Sequence, residues 1–280
     1  MAFAATIGFF DGVHTGHRFV LERLQIVARE NGLDAAVIIF EEHPQHVLRG
    51  SFVPLLTTFN ERVELLKKSG IEKILPFRFE EIHKLTAEEF MRLLHEKYDV
   101  NILLMGYDHH FGSDKMTMFS DYETCANRVG MHLFRLPQNP SSKASSTAIR
   151  YALLSGEVEK ANALLGYPYT LEGAVIAGKQ IGRMIGFPTA NLKVSEDKLI
   201  PATGVYVCEV DGRKAVMNIG NNPTVDGTEV TVELHLVGYK GDLYGKSLAV
   251  RLLHYLRPER KFENMDALRQ QIELDVAALK

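Results

Sequence analysis

The chain has 280 residues, 46% of them hydrophobic and 24% charged, which is typical of a globular protein with one large domain or two of ordinary size. A formal net charge of −3 argues against a general nucleic-acid-binding protein, and the apolar runs have the length of strands rather than of membrane spans. The N-terminus lacks the basic and then apolar segment of a secretion signal. Cys125 and Cys208 form no metal or redox pattern, so we expect buried free thiols. These features predict a cytoplasmic protein without membrane or nucleic-acid partners.

A loop rich in glycine and histidine follows the first predicted strand, residues 3–7. It reads Gly-Phe-Phe-Asp-Gly-Val-His-Thr-Gly-His over residues 8–17, and apolar residues at helical spacing follow it. The next apolar run, residues 35–40, predicts a second buried strand and completes a βαβ unit. The loop therefore lies between a strand and a helix N-terminus, where open α/β sheets bind phosphates.

The loop resembles the nucleotidylyltransferase signature, whose core is His-x-Gly-His. By this resemblance His14 and His17 face the phosphates of ATP, where imidazole donors and a helix N-terminus suit the charge that develops as pyrophosphate leaves. Two alternatives are a pair of helix-capping histidines and half of a metal site. No glutamate adjoins either histidine and no cysteine lies nearby, which weakens the metal interpretation.

Strands and helices alternate through the rest of the first half. We predict strands over 71–75, 100–105 and 131–136, helices over 57–69 and 122–129, and a further helix that begins with a Thr86–Glu89 capping box. Polar loops follow two of the strands, over residues 41–44 and 106–112. This alternation predicts a doubly wound parallel sheet.

A Ser-Ser-Thr-Ala-Ile-Arg segment, residues 145–150, opens the next helix. Hydroxyl groups and free N–H groups at a helix start, with Arg150 alongside, suit a phosphate. An ordinary helix cap is the favoured explanation when the segment is taken alone. It also matches the second nucleotidylyltransferase signature, and together with the histidine loop it favours phosphate binding by Ser146, Thr147 and Arg150.

The second half has a β pattern. A short helix over 157–165 ends at Gly166, where we place the boundary between domains 1–166 and 167–280. Strands are expected over 169–176, 204–210, 214–219, 229–237 and 248–254, with Asp-Gly turns at 211–212 and 226–227 and an amphipathic helix over 265–279. This pattern predicts a small, closed, antiparallel barrel of five or six strands with a C-terminal helix.

The chemistry of this half centres on residues 182–191, Gly-Arg-Met-Ile-Gly-Phe-Pro-Thr-Ala-Asn. Gly182 and Gly186 permit close approach to a phosphate, and Arg183 adds positive charge. Thr189 and Asn191 lie on one side of an extended segment, where their neutral oxygens suit a Mg²⁺ ion that takes most of its charge from ATP. A Gly-Pro loop with an asparagine turn is the alternative, and it is favoured when the motif is taken alone.

Gly-Phe-Pro-Thr-Ala-Asn is the hallmark of riboflavin kinases. The motifs in their order along the chain resemble those of bacterial bifunctional riboflavin kinase/FMN adenylyltransferases, over nearly the whole length. They are the histidine loop, 40–44, 106–112, 145–150, 182–191, 201–206, 218–224, 232–236, 242–245 and 256–262.

This resemblance implies that riboflavin is phosphorylated to FMN and that FMN is then adenylylated to FAD, with ATP as co-substrate and Mg²⁺ as cofactor. Glu233 would be the base for the riboflavin 5′-hydroxyl; it alternates with apolar Val232 and Leu234, although a solvated strand carboxylate is the simpler explanation of such a residue. The remaining expected contacts are Gly8, Phe10, Asp11 and Gly16 to ATP in the first domain, and Asp108, Phe111 and Arg257 to flavin.

Two alternatives stay open at this level. The first domain could transfer a nucleotidyl group to a different phosphate compound, although the kinase-like barrel on the same chain argues against this. The chain could instead be a flavin-binding or regulatory protein in which one or both sites are inactive. Thr189, Asn191 and Glu233 are all present, which argues against an inactive kinase.

Overall fold

The computed structural model describes residues 2–107, 109–137, 143–178, 182, 185–224 and 227–279, with side chains described outside 222–229. The chain divides into two compact units, Met1–Ala144 and Ser145–Lys280. Each unit has its own sheet.

The first unit is built on a five-stranded sheet in which every neighbouring pair is parallel. Its strands are β1 (Phe3–Ile7), β2 (Asp34–Phe40), β3 (Lys73–Phe77), β4 (Val100–Met105) and β5 (His132–Arg135), in the order β3-β2-β1-β4-β5. The strand order reverses direction at β1, so the loop after β1 lies at the topological switch point of the sheet. The predicted doubly wound parallel sheet is confirmed.

Helices cover both faces of this sheet. They are α1 (Thr15–Glu30), α2 (Pro44–Arg49), α3 (Phe59–Lys68), α4 (Phe79–Ile82), α5 (Ala87–Tyr98) and α6 (Phe119–Val129). Alternate residues of β1 enter different apolar clusters: Ala5 packs with α5 and α6, whereas Ala4 packs with α1 and α3. The two short helices α2 and α4 fall where the sequence pattern predicted no regular element.

The predicted capping box of α5 is present. Thr86 Oγ1 accepts a hydrogen bond from the Glu89 amide at 3.2 Å, and the Glu89 carboxylate accepts one from the Thr86 amide at 2.8 Å. These two bonds satisfy backbone donors that would otherwise lack partners at the start of the helix.

The second unit contains a closed antiparallel barrel of six strands in the order β10-β7-β6-β11-β8-β9. The strands are β6 (Thr170–Ile176), β7 (Ala190–Val194), β8 (Gly204–Val210), β9 (Arg213–Thr224), β10 (Gly227–Leu236) and β11 (Ser247–Arg257). Helices α7 (Ser146–Leu154) and α8 (Val158–Leu165) precede the barrel, and α9 (Met265–Ala277) follows it. The predicted barrel with a C-terminal helix is confirmed, although β7 was absent from the predicted strands.

Apolar side chains fill the interior of the barrel, and part of its outer surface is covered by the C-terminal segment. Tyr206 and Leu252 are fully buried, while Val205 on the outer surface packs with Leu279 beyond the end of α9. The Ala202 amide donates to the Leu153 carbonyl of α7, so α7 belongs to this unit in the structure. A division of the two enzymatic domains at residue 166 stays a prediction.

Cys125 in α6 and Cys208 in β8 are buried free thiols, as expected. Burial raises the pKa of both thiols, which keeps them protonated and poorly nucleophilic. In the part of the chain that the structure describes, no helix is both long enough and apolar enough to cross a membrane.

Candidate active sites

The loop after β1 turns sharply before α1. Residues Asp11–Val13 form a 3₁₀ turn, and both Phe10 (φ 54°) and Val13 (φ 34°) have left-handed backbone conformations. Such conformations are unfavourable for residues other than glycine and persist only where the surroundings hold them in place. The histidine loop is therefore strained and needs external support.

Asp11 and Thr57 supply that support. The Asp11 carboxylate accepts hydrogen bonds from the Leu56 amide (3.0 Å), the Thr57 amide (2.9 Å) and the Thr57 hydroxyl (3.1 Å). The Gly12 amide donates to the same hydroxyl at 3.0 Å, and Asp11 and Thr57 are only 2% and 3% exposed. The segment before α3 thus clamps the turn. Sequence reasoning missed Thr57, because no local pattern relates it to Asp11.

We expect Thr57→Val to slow the adenylyl transfer expected of this loop by about tenfold or more, because it removes one donor to Asp11 and the acceptor for Gly12 at unchanged volume. Initial rates of FAD formation from added FMN measure this effect. Thr57→Ser should restore the rate, and riboflavin phosphorylation by the other unit should not change. A Thr57→Val rate equal to wild type would contradict a role for the clamp.

The two histidines of the loop are in direct contact. His14 is the N-cap of α1, where its Nδ1 accepts a hydrogen bond from the His17 amide at 3.3 Å. Their rings stack at 3.6 Å between centroids, and the Phe10 ring contacts His17 edge-on at 5.0 Å. Since Nδ1 of His14 is an acceptor, the neutral ring carries its proton on Nε2. The capping interpretation is correct for His14, and it leaves an Nε2–H donor for a phosphate.

The environment keeps both imidazoles neutral. Burial lowers the pKa of His14 to about 4, although the charge of Asp11 opposes this shift. Burial is also the main reason why the pKa of His17 is well below its ordinary value, with His14 and then Arg62 as further causes. A neutral N–H donor can therefore stabilise developing phosphate charge without first losing a proton.

A pH dependence follows from His14. The unfolded chain binds a proton near pH 6.5 that the folded chain binds only at about pH 4, so the free energy of unfolding decreases as the pH falls through this window. We expect the His14 C2–H resonance in ¹H NMR, assigned by comparison with His14→Asn, to titrate with a midpoint at about pH 4. A midpoint near pH 6.5 would contradict the burial argument.

The other predicted residues of the first unit lie around the histidine pair or on nearby loops. Gly8 extends β1 through a hydrogen bond from its amide to the Ile38 carbonyl (3.1 Å), and Gly16 lies in the first turn of α1. The half-buried Phe111 packs its ring against Tyr122 at 5.0 Å, and its amide donates to the Tyr122 hydroxyl. Asp108 lies outside the described residues.

The serine-rich segment lies at the start of α7 in the second unit. Ser145 Oγ accepts a hydrogen bond from the Ala148 amide at 3.1 Å, which makes Ser145 the helix cap. Thr147 is exposed, while Ser146 and Arg150 are half-buried. Their role in phosphate binding stays a prediction.

The barrel brings Glu233 and Asn191 together. Glu233 of β10 is directly opposite Asn191 of β7 and Asn218 of β9 in the two antiparallel ladders. Directly opposed residues share one face of a sheet. Val232 and Leu234, the neighbours of Glu233, are buried inside the barrel, as the alternation predicts. The three polar residues therefore form a row across the outer surface of three strands.

The glycine loop, named for Gly178, Gly182 and Gly186, approaches Thr189 and Asn191 closely at the start of β7. A Cβ atom at Gly182 would come within 2.2 Å of the Phe187 carbonyl oxygen and 3.2 Å of Thr189 Oγ1, and one at Gly178 within 1.9 Å of Asn191 Nδ2. Only glycine allows the backbone this close to the two predicted metal ligands. Gly186 lies in the turn before Phe187, and Arg183 lies outside the described residues.

Thr189 also borders a cavity of about 560 Å³. The cavity is lined by Pro188, Leu234 and the 239–244 segment among others, and it is large enough for part of a nucleotide or flavin. His235 supports its wall: its Nδ1 lies 2.9 Å from the Pro188 carbonyl oxygen, and its ring contacts Phe187 edge-on at 5.3 Å. Sequence reasoning missed His235, although it lies two residues from Glu233.

Arg257 forms an ion pair within the barrel unit. Its Nε and Nη2 donate to the two carboxylate oxygens of Asp275 at 2.9 and 2.7 Å, and its Nη1 donates to the Pro258 carbonyl. This bidentate pair fastens α9 to the end of β11. The predicted flavin contact of Arg257 stays a prediction.

Comparisons with known proteins match both units. The FAD synthetase family model matches residues 2–148, and the riboflavin kinase model matches residues 165–280. A Listeria monocytogenes protein named bifunctional riboflavin kinase/FMN adenylyltransferase is 36% identical over 96% of this chain and 88% of its own length. The chain belongs to this family.

Further relatives agree along the whole chain. The Escherichia coli K12 bifunctional riboflavin kinase/FMN adenylyltransferase is 35% identical over 96% of this chain and 89% of its own length. Among solved structures, a Streptococcus pneumoniae protein described as a macrolide-efflux protein is 32% identical and matches with a TM-score of 0.87, over 99% of this chain and 94% of that one. The resemblance that the motifs predicted is therefore confirmed.

Proposed function

We propose that this protein makes FAD from riboflavin in two ATP-dependent steps. The barrel unit phosphorylates riboflavin to FMN, and the parallel-sheet unit transfers AMP from a second ATP to the FMN phosphate. The main support is that each unit matches its own family and holds that family's signature in a suitable geometry: stacked neutral histidines at a helix N-terminus, and a carboxylate opposite an asparagine beside a glycine loop.

In the adenylyl transfer, a phosphate oxygen of FMN attacks the α-phosphorus of ATP, and the bond to the β-phosphate oxygen breaks to release pyrophosphate. No protein nucleophile is needed. The Nε2–H of His14, the His17 ring and the N-terminus of α1 would stabilise the negative charge that develops on the phosphates. Ser146, Thr147 and Arg150 would add hydroxyl and guanidinium donors, and Gly8, Phe10, Asp11 and Gly16 would shape the pocket for ATP.

In the kinase reaction, the riboflavin 5′-oxygen attacks the γ-phosphorus of ATP and ADP leaves. Glu233 would take the proton of the 5′-hydroxyl, and the amides of the glycine loop at Gly182 and Gly186 would hold phosphate oxygens. Phosphoryl transfer depends mainly on positioning and on charge neutralisation. His235 would hold Pro188 and hence the adjoining Thr189 in place.

The residues present fit a magnesium ion. Thr189 and Asn191 offer neutral oxygens, Glu233 lies opposite Asn191, and the glycine loop leaves no room for a Cβ beside either ligand. Magnesium prefers oxygen ligands, retains several waters and takes further ligands from nucleotide phosphates, so it would neutralise phosphate charge here. Among the described residues no group of three or more His, Cys, Asp and Glu side chains could hold a metal.

The partners of the proposed enzyme are small molecules: riboflavin, FMN and ATP. We place the reaction in the cytoplasm, where ATP is available, and without a nucleic-acid or membrane partner, in keeping with the net charge of −3. Fractionation of cells and assay of each fraction for FAD formation would test the location.

The decisive experiment incubates purified protein with riboflavin, ATP and Mg²⁺ and separates the flavins by chromatography. We expect FAD, with FMN as an earlier product. Parallel reactions start from FMN, omit ATP or contain a chelator in excess of the metal. A product that stops at FMN would refute the adenylyl transfer, and unchanged riboflavin together with unchanged FMN would favour a flavin-binding protein without turnover.

A further inference from the structure

Among the described residues, the largest fully buried side chain is that of Arg62 in α3. Its exposed fraction is 0%. Arginine is almost never fully buried unless it is paired, because removing its charge from water is costly. The burial of Arg62 therefore points to a requirement for positive charge at this place.

The guanidinium of Arg62 lies at the carboxyl edge of the parallel sheet. Its Nη2 donates to the carbonyl of Phe40, the last residue of β2, at 2.7 Å. Its Cζ lies 4.0 Å from the centroid of the Phe9 ring, which belongs to the histidine loop after β1. Arg62 thus connects the ends of two adjacent strands at the edge where such sheets bind phosphates.

Among the residues that the structure describes, no direct ion pair neutralises the charge of Arg62. Within the described part of the chain, its Nε and Nη1 have no hydrogen-bond partner, and neither does the buried Nδ1 of His17. Asp11 is the carboxylate whose charge acts on Arg62, but both Asp11 oxygens accept hydrogen bonds from residues 56–57. A buried cation with unused donors remains beside the histidine pair.

We propose that Arg62 is a positioning residue for adenylyl transfer: its buried charge attracts the polyphosphate of ATP to the histidine pair, and its contact with Phe9 fixes the histidine loop. This inference rests on the proposed adenylyl transfer. Among the described residues, the charged and titratable groups that act on His17 are His14 from the loop and Arg62 from α3, and Asp11 acts on both of these. Of these, Arg62 is the permanent cation, and its field disfavours protonation of His17.

Arg62 therefore prepares the site before ATP arrives. Its charge favours the neutral form of His17. The neutral rings of His14 and His17 still offer N–H donors but add no further buried charge, and Arg62 itself supplies one fixed positive charge. A fixed charge in a buried site of low polarity acts on a bound anion more strongly than a solvated one. The site then holds one fixed positive charge when the triphosphate binds.

The test compares Arg62→Met, which removes the charge at similar length, with Arg62→Lys, which keeps it. We expect Arg62→Met to lose about tenfold or more in kcat/KM for ATP in the conversion of FMN to FAD, and Arg62→Lys to recover most of that loss. Lys68→Met is the matched control, because it removes one cation from the exposed surface of the same helix and should leave the rate unchanged.

A second measurement separates charge from structure. In ¹⁵N NMR of the free protein, the pKa of His17 should rise in Arg62→Met and stay low in Arg62→Lys. The ¹H–¹⁵N spectrum and the thermal unfolding of each variant report whether the parallel-sheet unit is folded, because riboflavin phosphorylation depends on the other unit. Should Arg62→Met fail to fold, Arg62→Gln replaces it as the uncharged variant.

Each outcome decides the inference. An uncharged, folded variant with the wild-type kcat/KM for ATP would overturn it, and so would an uncharged variant as active as Arg62→Lys. An unchanged His17 titration in the uncharged variant would also overturn it. The NMR measurement needs no turnover, so it still tests the effect of Arg62 on His17 if a wild-type protein that makes no FAD refutes the proposed function.

Discussion

Glu233→Gln should reduce riboflavin phosphorylation by roughly 10²- to 10⁴-fold, while the conversion of added FMN to FAD continues at the wild-type rate. Glutamine has nearly the same shape and can still accept a hydrogen bond, but it cannot take a proton from the riboflavin 5′-hydroxyl. The register that sets Glu233 opposite Asn191 should be preserved, because it depends on backbone hydrogen bonds.

The measurement is the initial rate of FMN formation from riboflavin, with FAD formation from FMN followed in the same preparation. Glu209→Gln is the matched control, since Glu209 also lies on a barrel strand but pairs with Arg251 at the surface. Loss of both activities in a folded Glu233→Gln protein would contradict separate sites. Full kinase activity would show that another group, or water, accepts the proton.

His17→Ala should have the opposite effect. Adenylyl transfer should fall by roughly 10²- to 10³-fold, the loss typical of removing one donor to a developing oxyanion, and riboflavin phosphorylation should continue. The ring of His17 stacks on His14 at 3.6 Å, so its loss removes both a phosphate contact and the support of its neighbour.

Flavin chromatography after incubation with riboflavin, ATP and Mg²⁺ should then show FMN accumulating without FAD. His132→Ala provides the control, because His132 is an exposed histidine on β5 of the same sheet. If His17→Ala still formed FAD at the wild-type rate, the histidine loop would not be the adenylyl transfer site. His17→Asn tests whether a smaller donor recovers part of the rate.

Local patterns in the sequence were enough to predict the two folds and most of the motifs. The strand, the loop with its glycines and histidines, and the helix around His14 are contiguous, so together they predict a phosphate site at a sheet edge. The alternation of Glu233 with buried Val232 and Leu234 likewise places its side chain outside the barrel. Both inferences use the short periods of helices and strands.

Contacts between distant segments could not be predicted in this way. Thr57 is 46 residues from Asp11, and Arg62 is 22 residues from Phe40. Each looks like an ordinary residue at the start of a helix until the sheet brings β1 and β2 together. Arg257 forms an ion pair with Asp275, which could not be predicted because it depends on the packing of α9 against the barrel. Helices α7 and α8 read as a continuation of the α/β pattern, yet they pack with the barrel unit.

The strand register that places Asn191 opposite Glu233 matters for stability as well as for catalysis. Side chains of a strand alternate between faces, so a shift of β10 by one residue against β7 would turn Glu233 into the barrel and Leu234 out to solvent. Such a chain would bury a carboxylate and expose a leucine that is now 1% accessible. A misaligned barrel would therefore be selected against because it is unstable, before any loss of catalysis could matter. The packing of the barrel interior thus determines the position of Glu233.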